Sequence, residues 1–390
     1  MEDWSGFLLK IIFNDKIPPK QQLKNIILKT SNLFTFMDFK RPKDYMKNQD
    51  FLKGYIAYFV PVNLAKTYSL LKELFKYPSI FQKKDIKIVD IGCGPSPAIL
   101  AVFKLIREGI TSINYIRYIG VELEEKAIQF GREMIEKFKP EKLSLNYEFL
   151  NTDASDIKTY VDLKEIKPDI LIFSNSLGEI FDARGIRHED FLKFIKLFTY
   201  NNDNFSLIIL EPATKKSASR LHALRDILIK EMGFYPYSPC VNSLPCPALK
   251  ANNWCYEERK WIPPKYLSFL SSIGLQVNYL KFSYFILRRD GLNIGDTFSA
   301  DSMIVKNTSH LLKEKGKSRL WGCWNGKLID IERLKRDYNK EDEWLKIKKG
   351  CYFSFNHFIE LSEKKIRIPR SGSVRVFYCP EIVSFNCLSE

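Results

Sequence analysis

The sequence predicts an α/β fold: a parallel, Rossmann-type sheet covered by helices, with a helical region before it and a small β-rich module after it. Three observations predict it. Short runs rich in Ile, Leu and aromatics recur from position 86, separated by stretches of helical character. Such alternation indicates βαβ units, whose strands are buried on both faces and are therefore apolar throughout. The first run leads into Asp90-x-Gly92-x-Gly94, a turn in which glycine lets the chain bend sharply and lets a ligand approach the main chain. The next three runs end in polar or acidic residues, Glu122, Asp153 and Asn175, at the sheet edge where open α/β folds bind ligands.

Residues 1–78 read as helical, through clusters such as FLLKIIF and NLAKTYSLLKELF. Leu64, Tyr68, Leu71 and Phe75 recur at three- and four-residue steps, the spacing of one helix face, and Pro18-Pro19 and Pro61 punctuate the region. The core is expected over 79–290. Its strands are IKIVDIG, YIRYIGVEL, LSLNYEFL, DILIFSN and FSLIILEP, with helices over 98–108, 124–138 and 188–198. A helix from Lys215 to about Glu231 comes next, then a Cys-rich insertion at about 235–257. A helix starting near Pro263-Pro264 and a strand, KFSYFILRR, complete the core. Beyond it, 291–390 mixes short polar and apolar runs and reads as the β-rich module.

The 390 residues carry 61 Lys and Arg against 46 Asp and Glu, a formal charge of +15. An excess of that size favours a polyanionic partner. No amphipathic membrane anchor stands out and no apolar run approaches the roughly 18 residues of a bilayer span, so nucleic acid is favoured over membrane. The start, Met1-Glu2-Asp3-Trp4, resembles neither a secretory signal nor an Arg-rich transit peptide, so the chain is expected in a reducing cytoplasm. There, clustered cysteines point to metal or catalysis rather than to disulfides.

The glycine turn has a specific chemistry. A dinucleotide fingerprint wants a third glycine at G-x-G-x-x-G, but Pro97 stands there, and Ser96-Pro97 suits a helix N-cap and first turn. Asp90 before the turn suits a cation better than a pyrophosphate. S-adenosylmethionine, with a sulfonium, an amino group and no phosphate, meets that requirement. Glu122 is then placed for the ribose hydroxyls, and Asp153 with the Ala154 backbone for the adenine. Ser174 and Asn175 lie at the same edge. Cys93 reads as a small buried residue.

Cys240, Cys246 and Cys255 are spaced C-x5-C-x8-C within CVNSLPCPALKANNWC. Structural zinc sites usually contain C-x2-4-C pairs, and none occurs here. Iron–sulfur clusters also need thiolates, and their larger core tolerates wider loops. Pro247 after Cys246 removes a backbone donor, and Trp254 beside Cys255 suits a shield against solvent. A cluster, a zinc ion or catalytic and structural thiols all remain open from these residues. Pro245-Cys246 also has the form of a pyrimidine-attacking nucleophile, but it lies past the fifth strand, whereas that nucleophile is expected after the fourth.

VDIGCGPSPAILAVF, FSNSLGEI, LIILEPAT with ASRLHALRDIL, PCPALKANNWC and KFSYFILRR, in this order, resemble the family of mitochondrial small-ribosomal-subunit assembly factors and their bacterial relatives, the predicted rRNA methylases. The resemblance runs from about Tyr55 to Cys323. It implies a class I methyltransferase-like core that binds S-adenosylmethionine at Asp90, Gly92 and Gly94. It further implies association with the small ribosomal subunit and its rRNA, not DNA. Finally it implies a [4Fe–4S] cluster on Cys240, Cys246 and Cys255, with the C-terminal module giving Cys323 as fourth ligand, although Cys351 and Cys379 are also available there. With no long N-terminal extension, a bacterial cytoplasmic relative matches better than a mitochondrial one.

Catalysis is less legible. Base-amino methylation usually needs an N-P-P-[YF] clamp after strand four, and SNSLGE has none. Asn175 and Glu179 suit substrate orientation, yet nothing marks a catalytic residue, and His188 and His310 are isolated. The expectation is an assembly or translation factor on the small subunit, with an active rRNA methyltransferase and a small-molecule methyltransferase as alternatives.

Overall fold

The structure, a computed structural model, describes residues 4–36, 48–76, 82–156, 162–180, 187–199, 202–275, 278–298 and 303–384. The chain divides into two compact units, one of Met1–Leu210 with Lys260–Leu280 and Ile382–Glu390, the other of Glu211–Arg259 with Lys281–Glu381.

Among the described residues the first unit opens with α1 (Trp4–Phe13), α2 (Lys20–Phe36) and α3 (Gln49–Leu74). Asn48 caps α3 by accepting from the Phe51 amide at 3.0 Å. The expected face of Leu64, Tyr68, Leu71 and Phe75 is buried. Gly54 lets α2 and α3 approach closely, since a Cβ there would stand 2.1 Å from Thr30 Oγ1.

The strands and helices that follow are β1 (Asp85–Ile91), α4 (Pro97–Arg107), β2 (Tyr115–Glu122), α5 (Glu125–Phe138), β3 (Ser144–Asn151), β4 (Ile170–Ser174), α6 (His188–Thr199) and β5 (Ser206–Pro212). They form a parallel sheet ordered β3-β2-β1-β4-β5. This is the parallel, Rossmann-type core that the apolar runs predict, and the class I methyltransferase-like core that the family resemblance implies. Beside β1 the strand order reverses, which is where such sheets open a ligand crevice at their carboxyl edge. The helix expected from Pro263 is instead two short 3-10 turns, Lys265–Leu267 and Leu270–Ile273. Ser272 Oγ donates to the Phe269 carbonyl at 2.6 Å and Gly274 ends the run at φ +77°, so local side-chain bonding and a glycine stop outweigh the helical period.

In the second unit, α7 (Lys215–Met232) begins at Thr214, whose hydroxyl accepts from the Ser217 amide at 3.2 Å, and ends at Gly233. Strands β6 (Tyr235–Ser238) and β7 (Glu257–Lys260) both pair with β8 (Tyr279–Arg288). The β-rich module then supplies β9 (Ile304–Asn307), β10 (Leu312–Glu314), β11 (Lys317–Trp324), β12 (Lys327–Leu334), β13 (Tyr352–Phe355), β14 (Ile359–Ser362), β15 (Lys365–Arg367) and β16 (Val374–Tyr378). Their order is β14-β15-β12-β11-β9-β13-β16, with β10 on β11. Leu320, Ile331, Trp344, Phe353 and Phe355 are among its core residues. Glu332 is buried amid Lys317, Lys365 and Arg367. Burial opposes its charge, but bonds to these cations prevail and lower its pKa to about 2.

Cys351 and Cys379 form a disulfide that joins the start of β13 to the end of β16. This corrects the expectation that these two residues are spare candidates for a metal, while the clustered Cys240, Cys246 and Cys255 are free thiols, as expected of the cluster. Antiparallel pairing of β13 with β16 brings their ends together, so each thiol meets the other rather than a ligand set. No described helix is long and apolar enough to cross a membrane.

Candidate functional site

The loop after β1 is a set of left-handed turns: Gly92 has φ +67°, Gly94 +54° and Ser96 +61°. The two glycines are needed for different reasons. A Cβ on Gly92 would stand 2.5 Å from Ser176 Cβ, so that position is closed by packing. At Gly94 a Cβ would meet only the Tyr55 hydroxyl, at 3.9 Å, so the main chain there lies open to a ligand. The amides of Gly92 and Cys93 donate to the Val121 carbonyl at 2.8 and 3.0 Å and anchor the loop to β2. Ser96, expected to cap α4, adopts the left-handed region and its hydroxyl makes no capping bond.

Asp90 is 1% exposed. Its Oδ2 accepts from the Tyr118 hydroxyl at 3.0 Å, and its Oδ1 has no hydrogen-bond partner among the described residues. Burial pushes its pKa up to about 7, the Tyr118 bond opposes this, and the nearby Glu122 charge adds to it. Cys93 is buried in the same loop, as expected, and burial raises its thiol well above the usual range.

Glu122 lies at the end of β2, but its carboxylate is engaged with backbone. Oε2 accepts from the Gly94 amide at 2.8 Å, and Oε1 from the Leu123 and Glu124 amides at 2.9 and 3.0 Å. It braces the glycine loop directly. Asp153 and Ala154 follow β3 in a half-buried turn where Asp153 Oδ1 accepts from the Ser155 amide at 2.8 Å and its hydroxyl at 2.6 Å. Asn175 has φ +59° and donates from Nδ2 to Asn63 Oδ1 of α3 at 3.1 Å. Beside it, Ser176 Oγ donates to the Ile91 carbonyl at 2.6 Å and ties the β4 loop to β1. Tyr118, Ser176 and Tyr55 carry no signal in the sequence. A strand-centre tyrosine reads as packing, and only through-space contact reveals a partner for Asp90.

The second site lies in the second unit. Cys240, Cys246, Cys255 and Cys323 line one cavity of about 1000 Å³. Each of Cys246, Cys255 and Cys323 is disfavoured as thiolate first by burial; next comes the charge of the Cys240 sulfur for Cys246 and Cys323, and of the Glu257 carboxylate, then the other sulfurs, for Cys255. Cys246 is raised to about 11, Cys323 to about 12 and Cys255 well above its usual range. Thiols so placed repel as anions, and a cationic metal core would relieve that repulsion. Among the described residues, however, no three His, Cys, Asp or Glu side chains converge as a set able to hold a metal ion. Zinc bonds of about 2.3 Å would require such convergence. The four cysteines share the lining of one cavity without converging on a point.

Buried polar groups hold this loop. Arg225 on α7 donates to the Leu244 carbonyl at 2.7 Å, the Asn242 carbonyl at 2.6 Å and Asp226 at 2.6 Å. Asp226 accepts from the Cys246 amide at 2.9 Å. Asn293 donates to the Cys240 carbonyl at 2.9 Å, and Ser283 to the Cys255 carbonyl at 2.9 Å. Buried His222 lies 3.2 Å from that same carbonyl, its pKa lowered to about 4 by burial. Cys323 comes from the β11–β12 hairpin, whose Asn325-Gly326 turn has φ +45° and +70°. Gly326 abuts Leu244, since a Cβ there would stand 2.7 Å from Leu244 Cδ1. Asn-Gly is a sequence signal for that hairpin; Arg225 offered none, because an arginine within a helix reads as solvated.

The sequence profile described as mitochondrial small ribosomal subunit Rsm22 matches residues 51–309. No curated protein matches. Among solved structures, an rRNA methylase from Streptococcus thermophilus is 10% identical, with 58% of this chain and 93% of that one covered and a TM-score of 0.28. An rRNA methyltransferase from Streptomyces viridochromogenes is 12% identical over 62% and 88%, with a TM-score of 0.29. A precorrin-6y C5,15-methyltransferase from Geobacter metallireducens is 12% identical over 63% and 91%, with a TM-score of 0.31. At such scores the fold rests on the strand order itself.

Proposed function

This chain belongs to the Rsm22 family, and from that premise we propose that it is a methyltransferase-like factor of the small ribosomal subunit that binds rRNA, S-adenosylmethionine and a [4Fe–4S] cluster. One observation carries the cluster: Cys323 and the three insertion cysteines, far apart in sequence, line the same cavity. Cys240, Cys246, Cys255 and Cys323 would hold the cluster, which when bound supplies a charged, redox-capable core. The protein's part is to fix the loop through Arg225 and Asp226 and to screen the site with Trp254.

S-adenosylmethionine fits the first unit on two counts, the buried Asp90 Oδ1, which has no hydrogen-bond partner among the described residues, and the open main chain at Gly94. Asp153 and Ala154 are the residues for the adenine. Glu122, already engaged with three amides, retains lone pairs for ribose hydroxyls while bracing the loop. Asn175 is turned to Asn63, which favours a factor over an enzyme that would use it on substrate.

A pH dependence follows. The Asp90 pKa in the protein is raised to about 7 from an ordinary 3.8, so the stability tied to its neutral form is full below about 4 and is lost as pH rises through about 7. A cationic ligand draws on the ionised form, so S-adenosylmethionine affinity should fall up to about tenfold between pH 7 and pH 6. Isothermal titration at both values checks this, and Asp90→Asn should flatten the dependence while weakening binding. A pH-independent affinity in the unaltered protein would remove Asp90 from the site.

The functional test uses full-length protein, labelled S-adenosylmethionine and small subunits from cells lacking the protein. We expect co-sedimentation that weakens steeply with salt, as phosphate contacts demand, with no label entering RNA. Label in RNA that disappears with Asp90→Ala would make the protein an rRNA methyltransferase. Absence of co-sedimentation at low salt would point to a small-molecule methyltransferase.

A further inference from the structure

The cavity around the four cysteines has a wall chemistry that a metal core does not use. Its volume of about 1000 Å³ is at the upper end for sites that enclose ligands of cofactor size. Three half-buried aromatic side chains line it: Trp254, Tyr256 and Trp321. Trp254 and Tyr256 stack with centroids 6.4 Å apart and planes inclined by 23°, so the pair forms one rigid aromatic wall. That wall is held in place. Trp254 Nε1 donates to the Ala213 carbonyl at 3.2 Å, and Lys349 Nζ sits 3.3 Å from the Tyr256 ring centroid.

The lysines of the cavity fall into two groups. Lys306 and Lys349 are buried and paired, with Glu257 at 3.2 Å and Glu258 at 3.8 Å, so they support the wall. Lys250, Lys327 and Lys364 are exposed and make no ion pair among the described residues. Glu363 is the one carboxylate among the lining residues. Flat apolar faces inside and uncommitted cations outside match a ligand with an aromatic ring at one end and a phosphate at the other.

We propose that this cavity binds a single unpaired nucleotide, its base against Trp321 or the Trp254–Tyr256 wall and its phosphate on Lys250, Lys327 and Lys364. The inference rests on the reading of this chain as an rRNA-associated factor and names where such RNA enters. A recessed aromatic wall requires an unstacked base, so duplex RNA is excluded, and stacking without edge contacts tolerates any base. A free mononucleotide has the same chemistry, and the experiment separates the two sources.

Full-length, metal-loaded protein is titrated into fluorescein-labelled decauridylate while anisotropy and tryptophan emission are followed. Duplex RNA of equal length and uridine monophosphate serve as competitors. Binding should quench tryptophan emission. Lys327→Glu with Lys364→Glu should weaken binding at least tenfold and lower the slope of log K against log salt by about 1 to 1.5. Trp321→Ala should weaken it about fivefold or more with the slope unchanged. Competition by the monophosphate only at far higher concentration assigns the site to RNA; equal affinities assign it to free nucleotide. The proposal is overturned if both sets of variants bind as the unaltered protein does, or if duplex competes as well as single strand. Were those variants still to co-sediment with small subunits, the factor reading would stand and only this site would fail.

Discussion

Protein purified without oxygen is expected to carry about four irons and four acid-labile sulfides per chain, and Cys246→Ser to lose nearly all of both. Cys246 is 6% exposed, and its amide is held by Asp226, so serine preserves the loop while removing the ligand atom. Cys240→Ser, Cys255→Ser and Cys323→Ser should lower bound iron at least tenfold as well. Cys351→Ser is the control: its sulfur is bonded to Cys379, so iron should be retained. Because Cys323 comes from the β11–β12 hairpin and the other three from the insertion, cluster loss should also lower the unfolding midpoint. Zinc without sulfide, or iron retained in Cys323→Ser, would refute the ligand set.

Gly92→Ala should destabilise the first unit by about 2–6 kcal/mol. Two costs add: a left-handed φ imposed on alanine, about 1–3 kcal/mol, and overpacking against Ser176, about 1–3 kcal/mol. Gly94→Ala shares only the backbone cost, since its nearest neighbour is 3.9 Å away. It should unfold within about 1–3 kcal/mol of the unaltered protein yet bind S-adenosylmethionine poorly, because the new methyl occupies the open face. Denaturant unfolding with ligand titration distinguishes the two. Equal stability losses in both variants would contradict the division of roles between these glycines.

Sequence legibility followed the range of the interactions. The five strands from IKIVDIG to FSLIILEP were readable because buried parallel strands are apolar throughout, a local property. The loop around Asp90, Gly92 and Gly94 was readable because glycine spacing is local too. Residues 263–274 misled because the run carries helical character, while Ser272 and Gly274 favour short turns. Cys323 entered through family resemblance, as nothing near it distinguishes it from Cys351. Arg225, which fixes the cysteine loop through two carbonyls, was invisible for the same reason.

The sequence by itself determined the order of strands and helices, the glycine turn at the end of β1 and the cysteine spacing of the insertion. These depend on periodicity and on residue types within a few positions of each other. Tertiary structure decided that Asp90 keeps one unpaired oxygen, that Glu122 braces its own loop, that Cys351 joins Cys379, and that Cys323 shares a cavity with the insertion. Each is a matter of which buried groups meet through space. Burial and partnership depend on the register of segments remote in sequence, which no local pattern encodes.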